Sequence, residues 1–413
     1  MRQLVDRGRR AFAMARSGGL REVMRRVRHG SKQDIFAKFE FLRGDSAIPE
    51  PSAETVSPNT VNWVLPAFTA GSGGHINALR FLGMLTERGY DCRVVIDAGP
   101  WFGEASDVTS RLQLFFGMTG IPVYVGVATA PPAFAVVATG WHQAHAVRNA
   151  MPARERFYFV QDFEPWFFAR GSEFAFAEET YRFGFTGITA GTWLADKLRS
   201  EYGMTCYPVG FSYDKAVYAP GPTRNGGRRR VFFYARPSTE RRAFEMGLLA
   251  FAKLCASMPE VMPVFAGFDL SAFVIPFEHE SWGVLGVASL PDLYRSCDVA
   301  LVISLTNLSL LPLELMACGT PVVSNSGPWT EWLLNSRNAV IADANAGSLA
   351  DAMRSLLQSE PMRARVVAAG IAFARSTSWD DAGDEMASAL ASRGCVPACR
   401  DSAPKVDEVH NHG

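Results

Sequence analysis

Apolar runs of strand length recur along this chain at 61–68, 92–97, 135–140, 157–162 and 185–190, and a helical pattern at 76–87 follows the first of them. Their apolar character is continuous rather than alternating, which means both faces are covered, as in a parallel sheet flanked by helices. Pro220, Gly221, Pro222, Gly226 and Gly227 interrupt the pattern at 218–230, after which it restarts. Second-sheet strands are expected at 230–235, 262–268, 282–286, 299–304, 321–325 and 339–343, with helices at 241–255, 290–297, 312–318 and 348–357. The pattern predicts two doubly wound α/β domains, 61–217 and 218–375, whose strand C-termini face a shared crevice where ligands bind. A last helix is expected within 376–392, centred on 379–390, and a flexible tail over 393–413. The uncharged run 112–141 is long enough to suggest a membrane span, but Pro122, Pro131 and Pro132 cut it into pieces read as buried strands.

Length and composition agree with this picture: 413 residues suit two domains, and 48% hydrophobic with 20% charged residues gives ample core while excluding collagen-like or wholly disordered chains. The zero formal charge hides an asymmetry. Residues 1–32 carry ten Lys or Arg against Asp6 and Glu22, a basic arm of +8 on a body of −8, joined by a linker within 33–60 that holds Pro49, Pro51 and Pro58. An acidic body argues against nucleic acid as partner, while the arm is free to touch an anionic membrane surface. Seven scattered cysteines without CxxC pairs point to a cytoplasmic protein, and the arm is too poor in apolar residues for a signal-peptide core.

Three segments carry candidate chemistry at predicted strand ends. Gly73 and Gly74, followed by His75, open a helix after the first strand, where glycines allow close ligand approach and free N–H groups face a phosphate or sugar; a plain tight turn is the alternative. Arg236 and Arg241 flank a strand-to-helix turn in domain two and can converge on one diphosphate. The segment from Ser304 through Thr306 to Val323 crosses the crevice and places Glu314 in the first turn of an apolar helix, where a carboxylate can hold ribose or sugar hydroxyls. In domain one, Asp162 and Glu164 beside Trp166 suit a sugar acceptor, with the carboxylates as base or hydroxyl-orienting groups and the ring as a stacking surface; a capping turn before Pro165 is the alternative. His142 and His145 lack further partners at metal-ligand spacing and are read as cleft-lining or helix-start residues. No Asp-x-Asp occurs, so a leaving diphosphate is expected to be met by cations and helix N-termini without a metal ion.

The order of glycine loop, Arg turn and Leu-Pro-Leu-Glu-Leu-Met-Ala-Cys-Gly-Thr-Pro-Val-Val at 311–323 resembles glycosyltransferase family 4, over most of 61–390. The segments 159–167 and 233–237 are similar to the rhamnosyltransferase branch typified by WsaF. The resemblance implies a GT-B fold with a final helix crossing back to the first domain, and no cofactor beyond a nucleotide-sugar substrate. It implies retaining transfer of L-rhamnose from dTDP-L-rhamnose to a bacterial surface polysaccharide or lipid-linked glycan, while docking at the inner membrane face is suggested by the basic arm alone, a disordered arm without a ligand being the alternative. By position it gives Arg236 and Arg241 to the donor diphosphate, Glu314 to the donor ribose or sugar, and Gly73 with Gly74 to the approach of donor and acceptor. Ser304 and Thr306 line the donor side; His75, His142, Asp162 and Trp166 the acceptor side; Asp162, Glu164 and Glu314 are the candidate catalytic carboxylates. Thr306 stands where family 4 usually has a Glu, eight positions before Glu314, and the WsaF branch shares that departure. A catalytically silent glycan-binding or scaffold subunit, and a sugar-nucleotide epimerase of the same fold, remain the alternatives.

Overall fold

The computed structural model describes residues 35–42, 56–68, 73–97, 104–221 and 226–398. The basic arm at 1–32, and with it the expected membrane contact, lies outside the described residues. Residues 35–42 belong to a separate unit, with a short helix Ile35–Lys38 and a 3-10 turn Glu40–Leu42 inside what reads as linker.

The remainder forms one unit holding two parallel sheets. The first has strands β1 (Thr60–Leu65), β2 (Asp91–Ile96), β3 (Val123–Val125), β4 (Ala133–Ala138), β5 (Ala153–Val160), β6 (Thr186–Ala190) and β7 (Cys206–Val209), in the order β3-β2-β1-β4-β5-β6-β7. The second has β8 (Arg229–Tyr234), β9 (Val261–Ala266), β10 (Glu280–Ser281), β11 (Val299–Val302), β12 (Val322–Asn325) and β13 (Ala339–Ala342), in the order β10-β9-β8-β11-β12-β13. Both orders reverse once, between β1 and β4 and between β8 and β11, so each domain opens a crevice at that point. Helices α1 (Gly73–Glu87), α2 (Ala105–Phe116), α3 (Trp141–Ala150), α4 (Ser172–Glu179) and α5 (Thr192–Tyr202) belong to the first domain. Helices α6 (Phe244–Ser257), α7 (Leu290–Arg295), α8 (Leu311–Ala317), α9 (Pro328–Glu331), α10 (Ala346–Gln358) and α11 (Glu360–Ser376) belong to the second.

Helix α12 (Trp379–Ala391) crosses back, started by Ser378, whose hydroxyl accepts from the amides of Asp380 and Asp381. It buries Ala382, Met386, Ala389 and Leu390 in the first domain's core. Its Glu385 accepts from the Gly210 amide at 2.6 Å, and Ser212 and Thr377 bond at 2.9 Å, so the two chain crossings between domains are tied together.

Three expectations need correction. The run 112–141 begins inside α2 and contains only two short strands, because Leu112 and Val108 bury one helical stripe. The strand expected at 282–286 shrinks to Glu280–Ser281 at the sheet edge, with Trp282 and Val284 exposed. The tail is packed as far as Ala398: Cys395 is fully buried, the Val396 amide donates to the Pro58 carbonyl and the Ala398 amide to that of Gly89.

Candidate functional site

At the second sheet's crevice the chain leaves β8 into Arg236, whose Nη2 donates to the Tyr234 hydroxyl at 3.2 Å and whose guanidinium lies 4.9 Å from that ring. No carboxylate pairs with Arg236 among the described ion pairs, so its charge at the strand ends is uncompensated locally. A 3-10 turn, Glu240–Arg242, follows and ends at Ala243, the one non-glycine described residue with positive φ, at 47°. A left-handed backbone at alanine is strained by ~1 kcal/mol or more, and it sets the direction of the two arginines before it. Arg241 lies 4.0 Å over the Phe167 ring of the first domain, with Nε 3.4 Å from the Asp162 carboxylate. Arg242 turns inward, its Nη1 donating to Ser304 Oγ at 2.6 Å and to the Asn307 carbonyl at 3.0 Å. Burial pulls its pKa down to about 10, with Asp162 opposing, and the cation is retained at neutral pH.

Asp162, just past β5, joins the domains. It accepts from Thr306 Oγ1 at 2.9 Å, the Asn307 amide at 2.9 Å and its neighbour Phe163's amide at 2.8 Å. Burial raises its pKa in spite of Arg242, Arg241 and these bonds. Asn307 completes the contact: its side-chain amide donates to the carbonyls of Gln161 and Ala190, both at 3.0 Å, and its oxygen accepts from Trp332 Nε1 at 2.7 Å. Ser304 is engaged on all sides, its backbone paired with Asn325 and Trp329 and its hydroxyl with Arg242. The hydroxyls of Ser304 and Thr306, expected on the donor side, are thus held by protein partners.

Glu164 is buried in the first domain and accepts from the Trp141 amide at 2.7 Å, capping α3. Burial pushes its pKa to about 7, against that bond and the Tyr158 hydroxyl. A folded-state pKa above the ordinary 4.5 means the native state binds the extra proton, so this contribution to stability is present at low pH and is lost as pH rises from about 4.5 through about 7. Glu164→Gln is therefore expected to be less stable relative to wild type at pH 5 than at pH 8, by up to ~3 kcal/mol. Urea midpoints at the two pH values measure this; a pH-independent difference would contradict it.

Glu314, in the first turn of α8, has Tyr294 Oη 3.5 Å away and Tyr218 beside it, and burial raises its pKa to about 7. Across the cleft stands Arg80 of α1, lowered in pKa by burial, drawn electrostatically to Asp214 and Glu314, and stacked 4.3 Å from the Trp379 ring. Sequence reading did not single out Arg80, Arg242 or Asn307; an Arg on the polar flank of α1 carries no motif, and the other two owe their importance to contacts between distant segments.

At the first sheet's crevice, Leu65, Pro66, Gly74, His75, Thr139 and Gln161 line a cavity of about 90 Å³. The His75 Nδ1 is buried without a hydrogen-bond partner, and burial lowers the ring's pKa. A Cβ on Gly73 would meet nothing within 4 Å. Gln161 joins this cavity to the domain contact, since its side chain donates to the Gly74 carbonyl at 2.9 Å while its own carbonyl accepts from Asn307. The structure thus brings together Gly74, His75 and Gln161, and separately Asp162, Arg241, Arg242, Ser304 and Thr306. Trp166 lines a different groove, of about 610 Å³, with Trp193 and Trp332. His142 is exposed on α3 against Trp141, and His145 is buried with Nε2 3.1 Å from the Phe176 carbonyl. Among the described residues no group of three or more His, Cys, Asp or Glu is placed to hold a metal ion, and no helix is long and apolar enough to cross a membrane.

Residues 229–354 match the family model of the WsaF C-terminal domain. An O-antigen biosynthesis protein RfbC of Myxococcus xanthus is 32% identical over 350 residues, covering 82% of this chain but 27% of that protein. A D-inositol 3-phosphate glycosyltransferase of Stackebrandtia nassauensis is 27% identical, covering 44% of this chain and 47% of its own. The chain therefore spans about a quarter to a half of the length of these curated relatives. Among solved structures, Anabaena HepE in complex with UDP and glucose aligns with a TM-score of 0.62 at 13% identity, covering 81% of this chain and 99% of that one. WaaG, a glycosyltransferase involved in lipopolysaccharide biosynthesis, aligns with a TM-score of 0.58 at 13% identity, covering 79% and 98%. At such identities these likenesses speak for the fold, two facing Rossmann-like domains of the GT-B kind. The chain thus carries a WsaF C-terminal-type domain at 229–354 within a GT-B fold of two facing Rossmann-like domains.

Proposed function

We propose that this chain is a glycosyltransferase that moves a sugar from a nucleotide donor, L-rhamnose from dTDP-L-rhamnose, onto a surface polysaccharide or lipid-linked glycan. The observation that carries the reading is Arg236, a cation without a carboxylate partner at the switch point of the second sheet, where a diphosphate fits. Glu314 accepts from donor hydroxyls once ionised, and Arg80 favours that ionised form from across the cleft. The acceptor sits toward Gly73, Gly74 and His75. In the transfer the acceptor oxygen bonds to the anomeric carbon as the bond from that carbon to the diphosphate oxygen breaks. The negative charge growing on the diphosphate is met by Arg236, with Arg241 as second cation when it leaves Asp162. The acceptor's proton passes to the departing diphosphate on the same face, giving retention without a metal ion. The name of one relative, an O-antigen biosynthesis protein, supports a polysaccharide acceptor, and with it work on the cytoplasmic side of the membrane.

Calorimetry of the purified chain with dTDP-L-rhamnose, UDP-glucose, GDP-mannose and free dTDP, each with EDTA and with Mg²⁺, tests this. Selective, metal-indifferent binding of dTDP-L-rhamnose is expected. Selective binding of another donor would overturn the sugar assignment, and binding only with Mg²⁺ would overturn the metal-free one. A folded chain that binds none of them would be the silent glycan-binding subunit, a reading favoured by Thr306, whose hydroxyl is spent on Asp162 where related enzymes usually offer a carboxylate.

A further inference from the structure

One hollow among the described residues belongs to neither crevice. It lies between α5 of the first domain and α9 of the second, holds about 610 Å³, and has the indoles of Trp166, Trp193 and Trp332 as its apolar wall. Its rim carries Asp196, Glu201 and Glu331 with a single cation, Lys197. From this combination we infer that the groove is a binding site for a neutral oligosaccharide, outside the donor crevice.

The rings are fixed before any ligand arrives. Trp332 donates to Asn307 at 2.7 Å and covers Gly191 so closely that a Cβ there would come within 2.4 Å of its ring. Gly191 has φ of 78°, so this residue alone among the twenty fits both the backbone and the overlying indole. Trp166 stacks near Trp193, with centroids 5.8 Å apart, and Lys197 stands 5.0 Å from the Trp166 ring. Preformed aromatic surfaces lose little freedom on binding, and they suit the C–H face of a pyranose. The volume lies in the range of sites for ligands of this size.

The rim decides the kind of saccharide. The Asp196 side chain is 73% exposed and that of Glu201 51%, so their carboxylates can accept from sugar hydroxyls. Lys197 is held by Glu201 at 2.7 Å and Arg199 pairs with Asp196 at 3.2 Å, so the rim keeps one carboxylate in excess, Glu331, which disfavours uronate or phosphate-bearing chains. The groove also touches the chemistry indirectly: Trp166 follows Asp162 and Glu164 in one short turn, and Trp332 holds the Asn307 that joins the domains. A glycan chain seated here bridges both domains at their contact and keeps a growing polymer close to the crevice. That use rests on the transferase reading; the saccharide site itself rests on the groove.

Saturation-transfer NMR on the full chain, with α-L-rhamnotriose, maltotriose and trigalacturonate as probes, tests the inference with and without saturating dTDP-L-rhamnose. At least one neutral trisaccharide is expected to bind saturably, trigalacturonate at least tenfold more weakly, and the nucleotide sugar to leave neutral binding unchanged. Trp332→Ala risks the fold through Asn307, so the exposed positions Asp196→Arg and Thr192→Tyr, checked by thermal melting, are the informative variants. Each should weaken the neutral trisaccharide at least tenfold. No saturable transfer to either neutral probe at 20 mM (on the order of the weakest useful affinities), equal binding of the uronate, or indifference to both variants overturns the inference. Trisaccharide binding by a chain that takes no nucleotide sugar would sink the transferase reading and leave the groove standing; nucleotide binding without trisaccharide would do the reverse.

Discussion

Asp162→Ala is expected to destabilise the protein by ~3–5 kcal/mol, seen as a lower urea midpoint and as separation of one unfolding transition into two. The carboxylate is the shared acceptor for Thr306, the Asn307 amide and Arg241, all from the second domain. Without it, the half-buried Arg242 cation loses its nearby counter-charge, and a buried hydroxyl and a buried amide lose their partner. Asp162→Asn should fall well short of that. Burial already raises the Asp162 pKa despite two arginines and several hydrogen bonds, so the ionised form is costly to enclose and a neutral acceptor of the same shape recovers much of the contact. The sign of the pH effect follows: a raised folded pKa gives stability that is lost as pH rises through it, so the gap between wild type and Asp162→Asn should narrow, not widen, on going from acid to neutral pH. A single unaltered transition in Asp162→Ala would show that the domains hold together by other means.

The contrast between what the sequence discloses and what it conceals follows from the range of the interactions. The two sheets were legible because buried parallel strands announce themselves locally, as at 231–233 and 299–302, where every residue is buried. The helix carrying Glu314 was legible through Pro312 at its first turn and Gly319 just past its end, at φ 83°. The crossover was announced by Ser378, Trp379 and Asp380. By contrast, Asp162 and Thr306 are 144 positions apart, and nothing near either says that they bond. The same distance hid Asn307 and Arg242, which meet only because the chain after β11 returns beside the turn Glu240–Arg242. Trp166 was expected on the acceptor side together with His75, but the two line different hollows, and that separation depends on how the turn after β5 folds over α5, which spacing does not encode. In 112–141 the absence of charge masked a helix end, because an exposed face made of Gln113, Leu114 and Phe115 lacks the polar stripe by which helices are recognised.

Arg236→Ala is expected to lower kcat/KM for sugar transfer by ~10²- to 10³-fold, the loss typical of one preorganised group facing developing charge, while leaving the fold intact. The stability half of this expectation comes from its neighbours: the side chain makes one hydrogen bond and one ring contact, both to Tyr234, and pairs with no described carboxylate. A substitution that removes so little should stay within ~0.5 kcal/mol of wild type. The activity half comes from place: a cation just past the end of β8 lies beside the β8–β11 switch point, where open parallel sheets of this kind bind ligands. Arg236→Lys separates charge from shape. It restores attraction but not the planar pair of donors, so it should recover affinity for free nucleotide diphosphate more fully than it recovers turnover. Raised salt should weaken donor binding in wild type more than in Arg236→Ala, since the screened attraction is absent from the variant. Donor affinity and transfer rate unchanged in a folded Arg236→Ala would remove the diphosphate from this crevice, and with it the reason for placing the reaction there.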